Sequence, residues 1–353
     1  MTDNQTFYTP TDTVLLTGAG FTKGFGGHLA SEMWAAIFSQ PEIQKHNNLR
    51  NALLKSLDYE WVYDQVLFPK EKGLTFTDDE KIALVNAVHK AYEDMHRSIC
   101  QDGSPIEQSS ASGACSLFIT RFSGRGEKRG FYFTLNQDLF TERFYSNSNQ
   151  MINLPGLNAE KWFNGRLGSK LDLGDWVRLP DDVSLEKVKA ASLRKGSGNF
   201  VYIKVHGSYG WKAQDGSNVM VMGRAKTEII EREPLLRWYW DLFKSVLQRY
   251  EQKLVVVGYG FRDDHVNQVI ADAINRFKLR FYVILPKEPK DFKSVLQPLD
   301  SRSFESGGIK LSLGSTLWFG MAGYYRGEVK DLYQRGTNQL TPTGEAFFRD
   351  LSL

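Results

Sequence analysis

Asn136, Asp138 and His206 each stand just past an apolar run, where a side chain can reach a ligand. Asn136 and Asp138 close Phe131-Tyr-Phe-Thr-Leu-Asn-Gln-Asp138, and His206-Gly207 closes Val201-Tyr-Ile-Lys-Val205. Histidine suits proton transfer near neutral pH, because its ordinary pKa is about 6.5. Asparagine can orient a water or a ribose hydroxyl. Asp138 has two readings, acceptor for a hydroxyl or cap of the next helix. His206 also has the plainer reading of an imidazole bonded to a loop carbonyl, the common fate of a lone histidine. Gly207 is expected to keep the imidazole uncrowded.

Two glycine segments repeat the design, Val14-Leu-Leu-Thr-Gly-Ala-Gly-Phe-Thr22 and Leu254-Val-Val-Val-Gly-Tyr-Gly-Phe-Arg-Asp-Asp264. At Gly18-Ala19-Gly20 the backbone can approach a pyrophosphate, with Phe21 beside it and the Thr22 hydroxyl as a donor. The step to Gly24 is one residue longer than Gly-x-Gly-x-x-Gly, so a tight turn without a ligand is an equal reading. Gly258 admits a ribose or adenine, with Tyr259 and Gly260 in the same turn. Asp264 fits a helix N-cap, and Asn267 lies one turn further on.

These residues need strands that end together. Val14–Leu16, Phe131–Leu135, Phe200–Val205, Leu254–Val257 and Arg280–Leu285 are buried-strand patterns, separated by helical ones. That alternation predicts a Rossmann-like α/β fold, a parallel sheet with helices on both faces and helical insertions. Helices are expected over about 27–38, most of 42–68, from a capping box at Thr77-Asp-Asp-Glu80 to Ile99, over 114–122, 233–249 and 264–277. One catalytic domain spans 1–300, with a helical insertion at about 41–124 and a lid-like one at about 146–199. Residues 301–353 form a C-terminal extension packed on the same domain.

Composition narrows the classes. The 353 residues are 41% hydrophobic, enough for a large core, and 44 basic residues face 41 acidic ones. That balance gives no dedicated nucleic-acid coat, and direct nucleic-acid binding is not expected. Cys100 and Cys115 are the two cysteines, so a zinc ribbon of paired Cys-x-x-Cys is impossible and both read as core thiols. No His-x-x-x-His or His-Glu pair suggests a metal, and none is expected. The first residues lack a signal peptide's basic and apolar regions, and no apolar run approaches the roughly 20 residues that span a bilayer. A cytoplasmic protein without membrane contact is expected. Gly-x-Ser-x-Gly and Walker A patterns are absent, which argues against a hydrolase elbow and P-loop phosphoryl transfer.

Taken in order, the motifs resemble a sirtuin catalytic domain. Gly18-Ala-Gly20 with Phe21 and Thr22 is similar to the family's opening Gly-Ala-Gly-x-Ser/Thr. Thr134-Leu-Asn136-Gln-Asp138 is similar to its Thr-Gln-Asn-Ile-Asp, and His206-Gly207 to its His-Gly. Thr-Leu-Asn-Gln-Asp, Val-His-Gly-Ser, Gly-Tyr-Gly-Phe-x-Asp-Asp-His and Asp58-Tyr-Glu-Trp-Val-Tyr63 resemble the divergent bacterial sirtuin-like NAD hydrolases of antiphage defence. The zinc ribbon is missing, Gly-Tyr-Gly-Phe replaces Gly-Thr-Ser, and no peptide-binding strand is recognisable. The resemblance implies NAD as substrate and its hydrolysis to nicotinamide and ADP-ribose. It also implies oligomers and a second defence component, such as a ring-forming ATPase translocase or an Argonaute-like protein. Asn136 and His206 are then catalytic. Gly18, Ala19, Gly20, Phe21, Thr22, Asp138, Gly258, Tyr259, Gly260, Asp264 and Asn267 bind NAD. The alternatives are an NAD-dependent lysine deacylase and a non-catalytic NAD or ADP-ribose sensor.

Overall fold

The structure, a computed structural model, describes residues 8–69, 75–100, 110–145, 152–157, 177–193, 200–334 and 337–353. Most of the expected lid at 146–199 lies outside the described residues. In chain order the strands are β1 (Thr9–Pro10), β2 (Thr13–Thr17), β3 (Lys128–Thr134), β4 (Ile152–Asn153), β5 (Val177–Arg178), β6 (Phe200–Lys204) and β7 (Gly207–Lys212). β8 (Asn218–Met220), β9 (Lys253–Val257), β10 (Arg280–Leu285), β11 (Ser303–Ser306), β12 (Ile309–Ser312) and β13 (Met321–Arg326) follow.

The main sheet runs β13-β10-β9-β2-β3-β6-β4, with β1 beside β3, and every pairing in it is parallel. β2 lies centrally, its successors β3 and β6 on one side and β9, β10 and β13 on the other. This is the Rossmann order, whose switch point falls between β2 and β9. The central strands are apolar throughout because both faces are covered: β2, β6 and all but the first residue of β9 and of β3 are buried. Alternate β3 side chains serve opposite faces. Tyr132 meets Phe21, which also packs on Phe118 and Phe140, whereas Phe133 meets Phe243. One face therefore carries helices Ala19–Lys23, Ser110–Thr120 and Phe140–Phe144; the other carries Pro234–Leu247.

The expected capping box forms: the Thr77 hydroxyl accepts from the Glu80 N–H, and Glu80 accepts from the Thr77 N–H, opening helix Asp78–Cys100. Helix Asp264–Phe277 and strand Arg280–Leu285 fall where their periodicity places them. Other expectations need correction. The first long helix starts at Ala30 and a five-residue helix, Ala19–Lys23, precedes it. Residues 41–67 form three helices, not one stretch. Pro234 at a helix start separates Lys226–Arg232 from Pro234–Leu247. The hairpin β7–β8 directly after His206 was not expected. Cys115 is a buried free thiol, its pKa pushed up by burial. Among the described residues no helix is long and apolar enough to cross a membrane.

Candidate functional site

The four motif strands end at one edge of the sheet in the order β9, β2, β3, β6. Gly18 follows β2, and its N–H donates to the Val257 carbonyl at 2.9 Å. The Gly20 N–H donates to the Gly258 carbonyl at 2.9 Å. Gly258 has φ +64°, and a Cβ there would lie 2.1 Å from the Phe21 nitrogen. A Cβ on Gly20 would lie 2.7 Å from Gly258 Cα. The glycines thus let two turns cross backbone to backbone at the switch point. That use is intramolecular and differs from a cradle open to pyrophosphate. The exposed Ala19 keeps an N–H with no partner among the described residues. Gly260 differs: it is exposed, and only the Arg262 side chain, at 3.9 Å, lies near its Cβ position.

Asn136 is anchored from both sides. Its N–H donates to Thr134 Oγ1 at 3.1 Å, and its Nδ2 donates to the Gly18 carbonyl and to Thr22 Oγ1, both at 3.0 Å. The side-chain NH2 group is spent, which fixes the amide and leaves Oδ1 as the acceptor. The Thr22 hydroxyl donates to Asp138 Oδ2 at 3.0 Å. Asp138 Oδ1 accepts from the Phe140 N–H at 2.9 Å, but Leu139, not Asp138, is the N-cap of helix Phe140–Phe144, so the bond closes the turn that leads into the helix. Burial pushes the Asp138 carboxyl up, against the pull of Lys204.

A buried layer the sequence did not single out supports this loop. Lys204, fully buried on β6, pairs with Glu142 at 2.8 Å and donates to the Asp138 carbonyl. From helix Asp78–Cys100, Tyr92 donates to Gln137 Oε1 at 3.1 Å and His96 Nε2 accepts the Leu139 N–H at 3.0 Å. Burial, with Arg143 and Lys204 nearby, lowers the His96 pKa well below the ordinary value, so it stays neutral and can accept.

His206 is 3% exposed. Thr134 and Lys204 are register partners on adjacent strands, so Asn136 and His206 leave neighbouring strand ends at the same level. Asn136 turns to the β2 turn, whereas His206 turns to the segment after β9, where its Nε2 lies 2.9 Å from His265 Nε2. Gly207 has φ +70°, and a Cβ would meet the Val219 carbonyl at 2.3 Å. The passage of β8, not space for the imidazole, requires glycine there. Burial lowers the pKa of His206 well below the ordinary value and also lowers that of His265. Asp263, not Asp264, is the residue before the helix. Burial opposes its ionisation, but the neighbouring imidazole and the Lys226 ammonium hold its carboxyl at about 2. Lys226 bridges Asp263 at 2.8 Å and Glu60 at 2.7 Å, which gives the Asp58–Tyr63 motif a place near the site.

The remaining expected residues split by partner. Tyr259 and Asn267 are buried and bonded to each other at 3.0 Å, and Asn267 Nδ2 donates to the Phe261 carbonyl at 2.9 Å. They shape the loop from inside. Asp264 is half exposed and pairs with Arg302. His206, Asp263 and His265 bring ligand-type atoms within 4.8 Å of one another. Two imidazoles on a tetrahedral zinc, with Zn–N about 2.0–2.1 Å, stand about 3.3 Å apart. The 2.9 Å separation is that of an N–H···N hydrogen bond.

Residues 130–305 match the family model of the SIR2-like domain. The match supports a sirtuin-like family. It covers β3 from Gly130 on, with Asn136, then β6 with His206 and the segment after β9. No curated protein matches the chain. NAD-related chemistry is what the SIR2-like domain suggests in general.

Proposed function

We propose that this SIR2-like protein hydrolyses the bond between nicotinamide and ribose in NAD, releasing nicotinamide and ADP-ribose. The observation that carries the reading is the fixed Asn136 amide, its Nδ2 held by Gly18 and Thr22 and its Oδ1 left as acceptor, on the strand end beside His206. An acceptor at that point takes one proton of a water and turns a lone pair to the ribose.

The leaving group is a pyridinium cation, so its departure yields neutral nicotinamide and needs no general acid. The C1′–N bond breaks with its electron pair going to nitrogen, a water oxygen bonds to C1′, and the water's second proton goes to His206. A pair of carboxylates flanking the bond, as in ordinary glycosidases, is unnecessary. The site supplies orientation and exclusion of bulk water. His206 is kept neutral by burial, as a base must be. Asp138 and Thr22 hold Asn136 in place. Ala19 offers its N–H to the pyrophosphate, and Gly260 offers open backbone to the adenosine half. Free NAD hydrolysis would harm the cell that makes it. Gating by self-assembly or by a second defence component in the cytoplasm, with antiphage defence as the setting, accords with that hazard.

Asn136→Ala and His206→Ala are expected to lower nicotinamide release by about 10²–10⁴-fold with the fold retained. Folded variants that release nicotinamide at the wild-type rate would overturn the assignment.

A further inference from the structure

The His206–His265 contact goes unused if His206 acts alone. Its Nε2 meets another imidazole Nε2 at 2.9 Å, with the ring centroids 5.1 Å apart. Two neutral imidazoles in that contact hold one proton between them. One ring is then the Nε2–H tautomer, and the other accepts with its proton on Nδ1. Because Nε2 of His206 is occupied, only its Nδ1 remains to meet a substrate proton, and Nδ1 is bare only if His206 is the donor in the pair.

We propose that His206 and His265 work as one proton-sharing pair, in which His265 accepts the Nε2–H of His206 and leaves His206 Nδ1 as the base. The inference rests on reading His206 as the base for NAD hydrolysis. When Nδ1 takes the proton of the attacking water, both His206 nitrogens carry hydrogen and the Nε2 proton is shared along the existing hydrogen bond. The surroundings match that charge. Asp263, Lys226 and Glu60 form a bridge of two carboxylates and one ammonium, which carries one negative charge when all three are ionised, and an imidazolium pair neutralises it. Asp264 adds a carboxylate beside His265 but is paired with Arg302. Trp240, from helix Pro234–Leu247, covers His265 with ring centroids 5.1 Å apart. His265 is a positioning residue and touches no reacting atom.

The test is nitrogen-15 NMR of the imidazoles in the full chain at pH 7.5, together with nicotinamide release by His265→Phe and His265→Gln. The pair predicts an unprotonated Nδ1 and a protonated Nε2 in His206, and loss of that preference in His265→Phe. It predicts that kcat falls roughly 10–100-fold in His265→Phe with KM for NAD unchanged. His265→Gln, whose side-chain carbonyl can accept the Nε2–H, regains about tenfold of that loss. A protonated Nδ1 in wild-type His206, or an unchanged tautomer in folded His265→Phe, overturns the pair. So does wild-type kcat in His265→Phe. Failure of the wild-type chain to release nicotinamide would instead count against the hydrolase reading, and the NMR result would still decide the pair.

Discussion

At the scale of single residues, the site is a set of polar groups whose protonation is set by burial, as at His96 and His206, or by paired charge against burial, as at Asp263. His96 makes this testable. Its folded pKa lies well below the ordinary value, so the folded state binds fewer protons than the unfolded one. The stability it supports is complete above about pH 6.5 and declines as pH falls below it. His96→Gln is expected to lose about 1 kcal/mol less stability than wild type between pH 6.5 and 5.5, read from urea unfolding. Equal losses would contradict a neutral His96 under the Asn136 loop. Lys204 gives a larger effect. Lys204→Met leaves Glu142 buried without its cation and is expected to destabilise the protein by about 3–5 kcal/mol. Lys204→Met with Glu142→Leu should recover most of that, and a double variant as unstable as the single would refute the pairing. The places of Asn136 and His206 just past buried strands were readable from the sequence because each follows an apolar run. Lys204–Glu142, His96–Leu139 and His206–His265 were not, since their partners lie 62, 43 and 59 residues away.

At the scale of elements, the glycine turns separate folding from binding. Gly258→Ala would drive a Cβ to 2.1 Å from the Phe21 nitrogen at a positive φ and is expected to abolish folding or lower Tm by many degrees. Gly260→Ala meets only the Arg262 side chain, at 3.9 Å, and should retain the wild-type Tm while weakening NAD binding several-fold by calorimetry. Both variants behaving alike would refute the distinction. The glycines were visible in the sequence, but their use was not. Gly18, Gly20 and Gly258 serve a crossing between two turns far apart in the chain, and local spacing cannot report such a crossing. The same holds for helix Asp78–Cys100, whose capping box is local and legible and whose Tyr92 and His96 contacts are not.

At the scale of the whole molecule, residues 301–353 contribute a strand to the main sheet. β13 pairs with β10 along Phe281–Leu285. Helix Pro342–Leu351 packs at the amino ends of the central strands β2 and β9, where the Leu351 carbonyl accepts from Thr13 Oγ1 at 3.3 Å and from Lys253 Nζ at 3.1 Å. Removing residues 321–353 is therefore expected to yield an aggregating chain, because it bares β10 as an open strand edge. A soluble, cooperatively unfolding truncation would contradict this. β13 escaped sequence reading because Met321-Ala-Gly-Tyr-Tyr-Arg326 is half exposed and lacks the apolar run that marked the inner strands. The central strands were legible for the converse reason, being buried on both faces.

The most direct measurement of the central claim is chromatography of NAD incubated with the purified protein, alone and with the product of its neighbouring gene. The account predicts nicotinamide and ADP-ribose in equal amounts, accumulating over many turnovers without any acylated peptide. NAD recovered intact under both conditions, or consumed only when an acyl-lysine peptide is supplied, would contradict it.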